Sequence, residues 1–120
     1  MIMKQYTTLE QTAKLIALGF EKPNPSFYRN GATWIQCEGN YSISELIGML
    51  PMTITHEIWF GKDKGKEGVW GLRIDTCGTE YCWDISYERS YSAPLYLESR
   101  SELVDALYDM VVMLKEEEII

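Results

Sequence analysis

The segment YSISELIGMLP, residues 41–51, states where a helix starts, where it stops and which face it buries. Ser42 followed three residues later by Glu45 forms a capping box, in which each side chain satisfies a backbone N–H that the first helical turn leaves unpaired. Ile43, Leu46, Ile47 and Leu50 recur at i, i+3, i+4 and i+7, so the helix carries one continuous apolar stripe. Pro51 has no N–H to donate and disfavours helix at Leu50; extended chain is expected from about Met52. A helix of two turns is unstable alone. The remaining chain must therefore provide a platform, and it reads as a sheet with flanking helices.

A first helix is expected over residues 9–18, opened by Thr8 and Gln11 as a second capping box and closed by Gly19. Leu9, Ala13, Ile16 and Ala17 would form its buried stripe, and Leu15 would meet Phe20 just past the glycine. Residues 21–33, EKPNPSFYRNGAT, hold two prolines, two asparagines and a glycine and read as a loop of functional length. Its Phe27, Tyr28 and Arg29 are residue types enriched at binding surfaces. A short extended segment, residues 34–37, leads from there to the capped helix.

After Pro51 the apolar period changes from 3.6 to 2. Ile54, His56, Ile58 and Phe60 alternate with Thr55, Glu57 and Trp59. Trp70, Leu72 and Ile74 alternate with Gly71, Arg73 and Asp75, and Tyr81, Trp83, Ile85 and Tyr87 with Cys82, Asp84, Ser86 and Glu88. The connectors, residues 61–68 and 76–80, are of hairpin length, which favours an antiparallel meander. Residues 89–97, with Pro94, add a short edge strand. Ser99 with Glu102 would open a long last helix through about Glu117, with Leu103, Leu107, Met110, Val111 and Leu114 as its core face, widened by Val104 and Ala106. The run Glu116, Glu117, Glu118 stands at the helix's negative end, where fraying is expected. The expected fold is α+β: one domain over residues 1–120, a three- to four-stranded antiparallel meander covered by two or three helices in the order α-(β)-α-β-β-β-α.

At 120 residues and 46% hydrophobic composition the chain can bury a core without staples. No apolar run approaches 18 residues and no charged-then-apolar leader precedes the first helix, which points to a cytoplasmic protein without a membrane span. Three cysteines, Cys37, Cys77 and Cys82, are an odd number and fit reduced thiols. The net charge of −7 is unevenly spread. Up to Ile74 eight basic residues face seven acidic ones, and from Asp75 onward three face eleven, for net charges of +1 and −8. Such an acidic half repels phosphate backbones and attracts basic protein surfaces.

Catalytic constellations are hard to build from these residues. His56 is the only histidine, and Cys77 and Cys82 have four residues between them with Cys37 remote, so neither a zinc site nor a Cys–His nucleophile has its full set. The glycine- and lysine-rich stretch 61–68 lacks the order and the following helix of a phosphate cradle and reads as a solvated hairpin tip. Asp75, Asp84 and Glu88 share the polar face of the meander, where nothing desolvates a carboxyl for acid–base work. No metal and no cofactor is expected. Trp59, opposite the Ile58 and Phe60 face, is expected to lie under a helix. Asp105 and Asp109, one turn apart on the last helix with Glu98 and Glu102 nearby, form an acidic strip with no lysine at hand except the distant Lys115.

The segments TLEQTAKLIALGF, YSISELIGMLP and ALYDMVVMLKEEEII resemble a family of small uncharacterised proteins carried by Bacteroides-type phages, prophages and mobile elements. The resemblance covers both ends and the capped helix, under half the chain. This sequence has Thr12 where the family pattern has serine and Met113 where it has tryptophan, and it lacks an asparagine–glycine stop at its end. The resemblance implies a mobile-element context and an accessory role, and it transfers no catalytic residue. On this basis the first expectation is a non-enzymatic binding protein using Glu98, Glu102, Asp105 and Asp109 against a basic surface of a host protein. A nucleic-acid-handling defence enzyme, as met by anti-CRISPR inhibitors, is the concrete version. The alternative is a small-molecule-binding or enzymatic domain with a site between the 21–33 loop and the sheet, lined by Tyr28, Trp34 and Trp83. A homodimer joined through sheet edges is a third reading.

Overall fold

The structure, a computed structural model, describes residues 4–23, 26–37, 40–76 and 82–120, with the backbone alone for 26–30 and 33–37. Its elements are α1 (Leu9–Ala17), β1 (Ser26–Asn30), β2 (Thr33–Cys37), α2 (Ile43–Met49), β3 (Thr53–Glu57), β4 (Glu67–Thr76), β5 (Trp83–Glu88), β6 (Leu97–Arg100) and α3 (Leu103–Glu116). The fold is α+β. Strands β3-β4-β5-β6 form one antiparallel four-stranded meander, and β1 and β2 form a separate two-stranded hairpin.

Helix α2 is capped as its sequence dictates: the Ser42 hydroxyl accepts from the Glu45 N–H at 3.1 Å, and the Glu45 carboxylate accepts from the Ser42 N–H at 3.1 Å. Leu50 leaves the helix in an extended conformation before Pro51. Leu46 and Leu50 are buried, and Ile43 and Ile47 pack against the same core. The Tyr87 hydroxyl then donates to the Pro51 carbonyl at 2.7 Å, fixing the exit of α2 against β5. A helix too short to persist alone is thus held at both ends.

The strand register pairs Ile54 with Trp70, Leu72 with Tyr87 and Ile74 with Ile85. Residues directly opposite in antiparallel strands share a face, so one side of the sheet is apolar. Helix α3 covers it with Leu103, Val104, Ala106, Leu107, Met110, Val111 and Leu114, all buried. The opposite face is polar: Arg73 stands 3.0 Å from Asp75 and 3.2 Å from Glu88, and Ser99 donates to Asp84 across the β5–β6 pair.

Several expectations are corrected. In α1 the buried residues are Thr12 and Leu15, whereas Leu9 is 77% exposed. The winning face is hydrogen-bonded as well as apolar: the Thr7 and Thr12 hydroxyls lie 2.7 Å apart, and Thr7 Oγ1 accepts from the Tyr41 N–H at 3.0 Å. Two polar side chains that satisfy each other are buried at little cost. The expected loop 21–33 contains strand β1, turned into β2 through Gly31 at φ 67°; asparagine–glycine between extended runs is a hairpin signal. The expected edge strand 89–97 falls later, at β6, and Ser99 belongs to that strand rather than to a helix cap. Glu102 is the N-cap of α3 without a side-chain cap bond; its carboxylate accepts instead from the Lys4 backbone N–H at 3.1 Å.

Strand β3 ends at Glu57, so the alternation does not extend to Trp59 and Phe60, which are 58% and 83% exposed. Phe60 does not join the core, and among the described residues no helix buries Trp59. At the acidic end of α3 the Ile119 N–H bonds the Leu114 carbonyl at 2.8 Å, with Glu118 in the left-handed region at φ 59°. That is a Schellman-type stop, the same device that closes α1, where Phe20 N–H meets Leu15 C=O at 3.2 Å beyond Gly19. Cys82 is disulfide-bonded, contrary to the expectation of reduced thiols. A bridge needs only two cysteines brought within reach by the fold, which a count cannot register. Position Tyr81, the connector 77–80 and Cys77 lie outside the described residues. Among the described residues no helix is long and apolar enough to cross a membrane.

Candidate functional site

Antiparallel pairing of β6 with β5 places Glu98 opposite Ile85 and Arg100 opposite Trp83, on the sheet face that α3 covers. Both side chains therefore meet the helix rather than solvent alone. Arg100 Nη1 lies 2.7 Å from Asp109 Oδ2, and Arg100 Nη2 lies 3.9 Å from Asp105 Oδ2. Lys4 Nζ reaches Asp105 Oδ1 at 2.8 Å, and Gln11 Nε2 donates to the same oxygen at 2.8 Å. The expectation of an acidic strip without basic partners is thereby corrected. Lys4 lies far away in sequence and Arg100 sits on another element, so neither appears in the spacing of α3.

The four expected acidic residues separate into two groups. Asp105 is only 15% exposed. Burial raises its pKa, but hydrogen bonds from Lys4 and Gln11 and the charges of Lys4 and Arg100 outweigh that and hold it below the usual carboxylate range. Asp105 and Glu102 thus spend their acceptors on the N-terminal segment. Glu98 and Asp109, the latter paired with Arg100, line a groove of about 300 Å³ with Tyr108, Val112, Met113, Glu116 and Glu117. Glu98 holds its proton more tightly than an ordinary glutamate, first because of burial and then because of Asp109, with Arg100 pulling the other way. Tyr108 is raised too, by burial and then by Asp109, Glu116 and Glu10.

Glu116 and Glu117 extend the acidic surface beyond the expected residues. Their signal was present in the sequence: Glu116 follows Asp109 by seven residues, two helical turns on the same face. Lys14 reaches Glu116 at 3.7 Å, with both side chains about half exposed, and such a pair neutralises little in water.

A second concavity lies at the far end of the sheet. Residues 56–60 and 91–95 enclose a cleft of about 290 Å³ whose walls include Trp59, Phe60, Trp70, Tyr91 and Pro94. The His56 ring meets Trp59 edge-on at 5.0 Å and Trp70 at 6.2 Å. The Arg89 guanidinium lies over Trp70, 5.7 Å from the ring centre. The cleft was missed because the alternating pattern placed Phe60 inside and Trp59 under a helix.

For the alternative site, Trp83 is half-buried on β5 and packs against the core. The side chains of Tyr28 and Trp34 lie outside the described residues, although β1–β2 pairing sets Tyr28 opposite Ile35 and Trp34 opposite Arg29. Comparison of the chain with protein-family models, with curated proteins and with solved structures finds no match.

Proposed function

We propose that this chain is a non-enzymatic binding protein that meets a basic protein surface through the groove between β6 and α3. One observation carries the reading: Glu98, Asp109, Glu116 and Glu117 line a single concave surface, where Glu98 and Tyr108 both hold their protons more tightly, burial acting first and neighbouring carboxylates second. A surface of one sign in a concave setting steers an oppositely charged partner and suppresses like-charged ones. Lysine or arginine side chains entering the groove would relieve the crowding of carboxylates and pack their stems against Val112 and Met113.

The resemblance to mobile-element proteins narrows the partner to a host protein with a basic face, a nucleic-acid-handling defence enzyme being the class that combines both properties. A cytoplasmic site of action follows from that resemblance alone, because the disulfide at Cys82 removes the argument from reduced thiols.

The test is capture from a Bacteroides-type host lysate at low and high salt, comparing the wild type with a Glu98→Lys, Glu117→Lys variant and with an Arg73→Glu control on the opposite sheet face. A basic partner kept by the wild type and the control, lost by the groove variant and weakened by salt supports the reading. Retention by the groove variant with unchanged salt dependence would sink it.

A further inference from the structure

We propose that two copies of this chain join through the open edge of β3, pairing antiparallel about a two-fold axis at Thr55 into one continuous sheet. β3 is a terminal strand of the meander, with β4 on one side and no strand on the other among the described residues. Ladder alternation fixes which groups face that open side. The Leu72 N–H donates to the Met52 carbonyl at 2.9 Å, and the Ile58 N–H donates to the Lys66 carbonyl at 2.8 Å, so Met52, Ile54, His56 and Ile58 direct their backbone groups at β4. Thr53, Thr55 and Glu57 therefore direct their N–H and C=O groups outward, and all three residues are exposed.

Open edges are normally blunted by short strands, lysine, proline or bulges. β6, the other terminal strand, has four residues, two of them charged. β3 continues its pairing from Met52 to Ile58, holds no lysine, proline or glycine, and carries its one carboxylate, Glu57, at its end. An exposed row of such backbone groups is a template for another strand.

A copy of β3 fits this template. With the axis at Thr55, Thr55 lies opposite its own copy and Thr53 opposite Glu57 at both ends, so every outward N–H meets an outward carbonyl and no like charges face each other. The Glu57 carbonyl accepts from His56 Nδ1 at 2.9 Å and keeps a second lone pair for this bond. Moving the axis to either side sets an outward group against Pro51, which has no N–H, or against Trp59, beyond the strand's end. Charge selects the same edge. The acidic excess falls after Ile74, and the acidic groove lies on the β6 side of the sheet. Joining through β3 holds the two grooves open at opposite ends of the combined sheet, whereas joining through β6 would bring the Glu98 and Asp109 carboxylates of both copies together.

Sedimentation equilibrium of the whole chain reads its state against the 13.9 kDa monomer, and NMR hydrogen exchange of the labelled protein reads the edge amides. The expected result is a dimer of twice that mass, with exchange at Thr53, Thr55 and Glu57 slowing as concentration rises. Thr55→Pro removes the central N–H from both strands and should raise the dissociation constant about tenfold or more. Thr55→Lys sets like charges face to face at the axis and should weaken the dimer too. Thr55 is exposed and its backbone groups point away from β4, so both variants keep the monomer fold, which a native-like amide spectrum would verify. Leu97→Lys on β6 and the Glu98→Lys, Glu117→Lys variant should dimerise like the wild type, so failure here and failure of the groove reading are distinguishable. A monomer at concentrations up to about 1 mM, a dimer that both Thr55 variants leave intact, or a dimer lost in Leu97→Lys or in the groove variant would overturn the proposal.

Discussion

Lys4 and Asp105 stand 101 positions apart in sequence, yet their side chains meet at 2.8 Å and tie the segment before α1 to the first turn of α3. Gln11 donates to the same carboxylate oxygen, so one aspartate anchors two parts of the N-terminal region. Asp105→Asn is expected to destabilise the protein at neutral pH by about 1–3 kcal/mol. Because the folded pKa of Asp105 is depressed, its contribution is present above the unfolded value and is lost as pH falls through the folded one. The gap between wild type and variant in denaturant unfolding should therefore shrink on acidification. A constant gap from neutral to acidic pH would contradict the assignment.

Glu98 has the opposite sign. Its folded pKa is raised, so its contribution is favourable below the unfolded value and lost as pH rises through the folded one. Glu98→Gln should be at least as stable as the wild type at pH 7 and should lose that advantage in acid. Thermal unfolding from pH 7 into the acid range checks this; a variant less stable than the wild type at pH 7 would refute it.

Helix α3 ends with a glutamate where the geometry favours glycine. Glu118 occupies the left-handed position of the stop, and its charge lies at the negative end of the helix. Glu118→Gly removes both penalties and should raise stability by about 1 kcal/mol. Chemical denaturation would read the shift in midpoint, and a loss of stability would show that Glu118 has a favourable contact outweighing its strain.

Gly68 is confined by packing rather than by its backbone angles. A Cβ there would stand 2.8 Å from Trp70 Cζ3 and 2.9 Å from Ile58 Cγ1. Gly68→Ala should cost about 1–3 kcal/mol through overpacking, and it should disturb the Trp70 indole signal more than those of the other tryptophans.

The disulfide at Cys82 makes a count possible. Of three cysteines, one bridge leaves one thiol per chain, so an unfolded, unreduced sample should react with one equivalent of a thiol reagent and a reduced one with three. Three equivalents without reductant would show that the bridge does not form.

Much of the fold was legible because its signals are local. The capping boxes at Thr8 and Ser42, the stop at Pro51 and the seven apolar positions of α3 depend on neighbours within a few residues, and all appear as expected. The meander was legible from period-2 alternation over residues 70–75 and 83–88. Phe60 and Trp59 were misread because alternation continues in the letters after the strand has stopped at Glu57. Leu9 and Ile16 were misread because hydropathy alone gave no weight to the hydroxyl pair of Thr7 and Thr12 that carries α1 onto the body.

The candidate site divides along the same line. Charge is conserved in any fold, so the sequence by itself determined that the C-terminal half is acidic and that Asp105 and Asp109 share a helical face. Which carboxylates remain available was decided only by tertiary structure. Lys4 arrives from the N-terminal segment and draws in Asp105, Arg100 arrives from β6 and pairs with Asp109, and β6 pairing brings Glu98 beside Asp109. Likewise the aromatic residues of the cleft are scattered over residues 59–91, and only the return of β5 alongside β4 sets Tyr91 across from Trp59 and Trp70. Local hydrogen bonds and periodicity are written into consecutive residues; the partners of a charge and the walls of a cavity come from chain segments whose meeting no short stretch of sequence encodes.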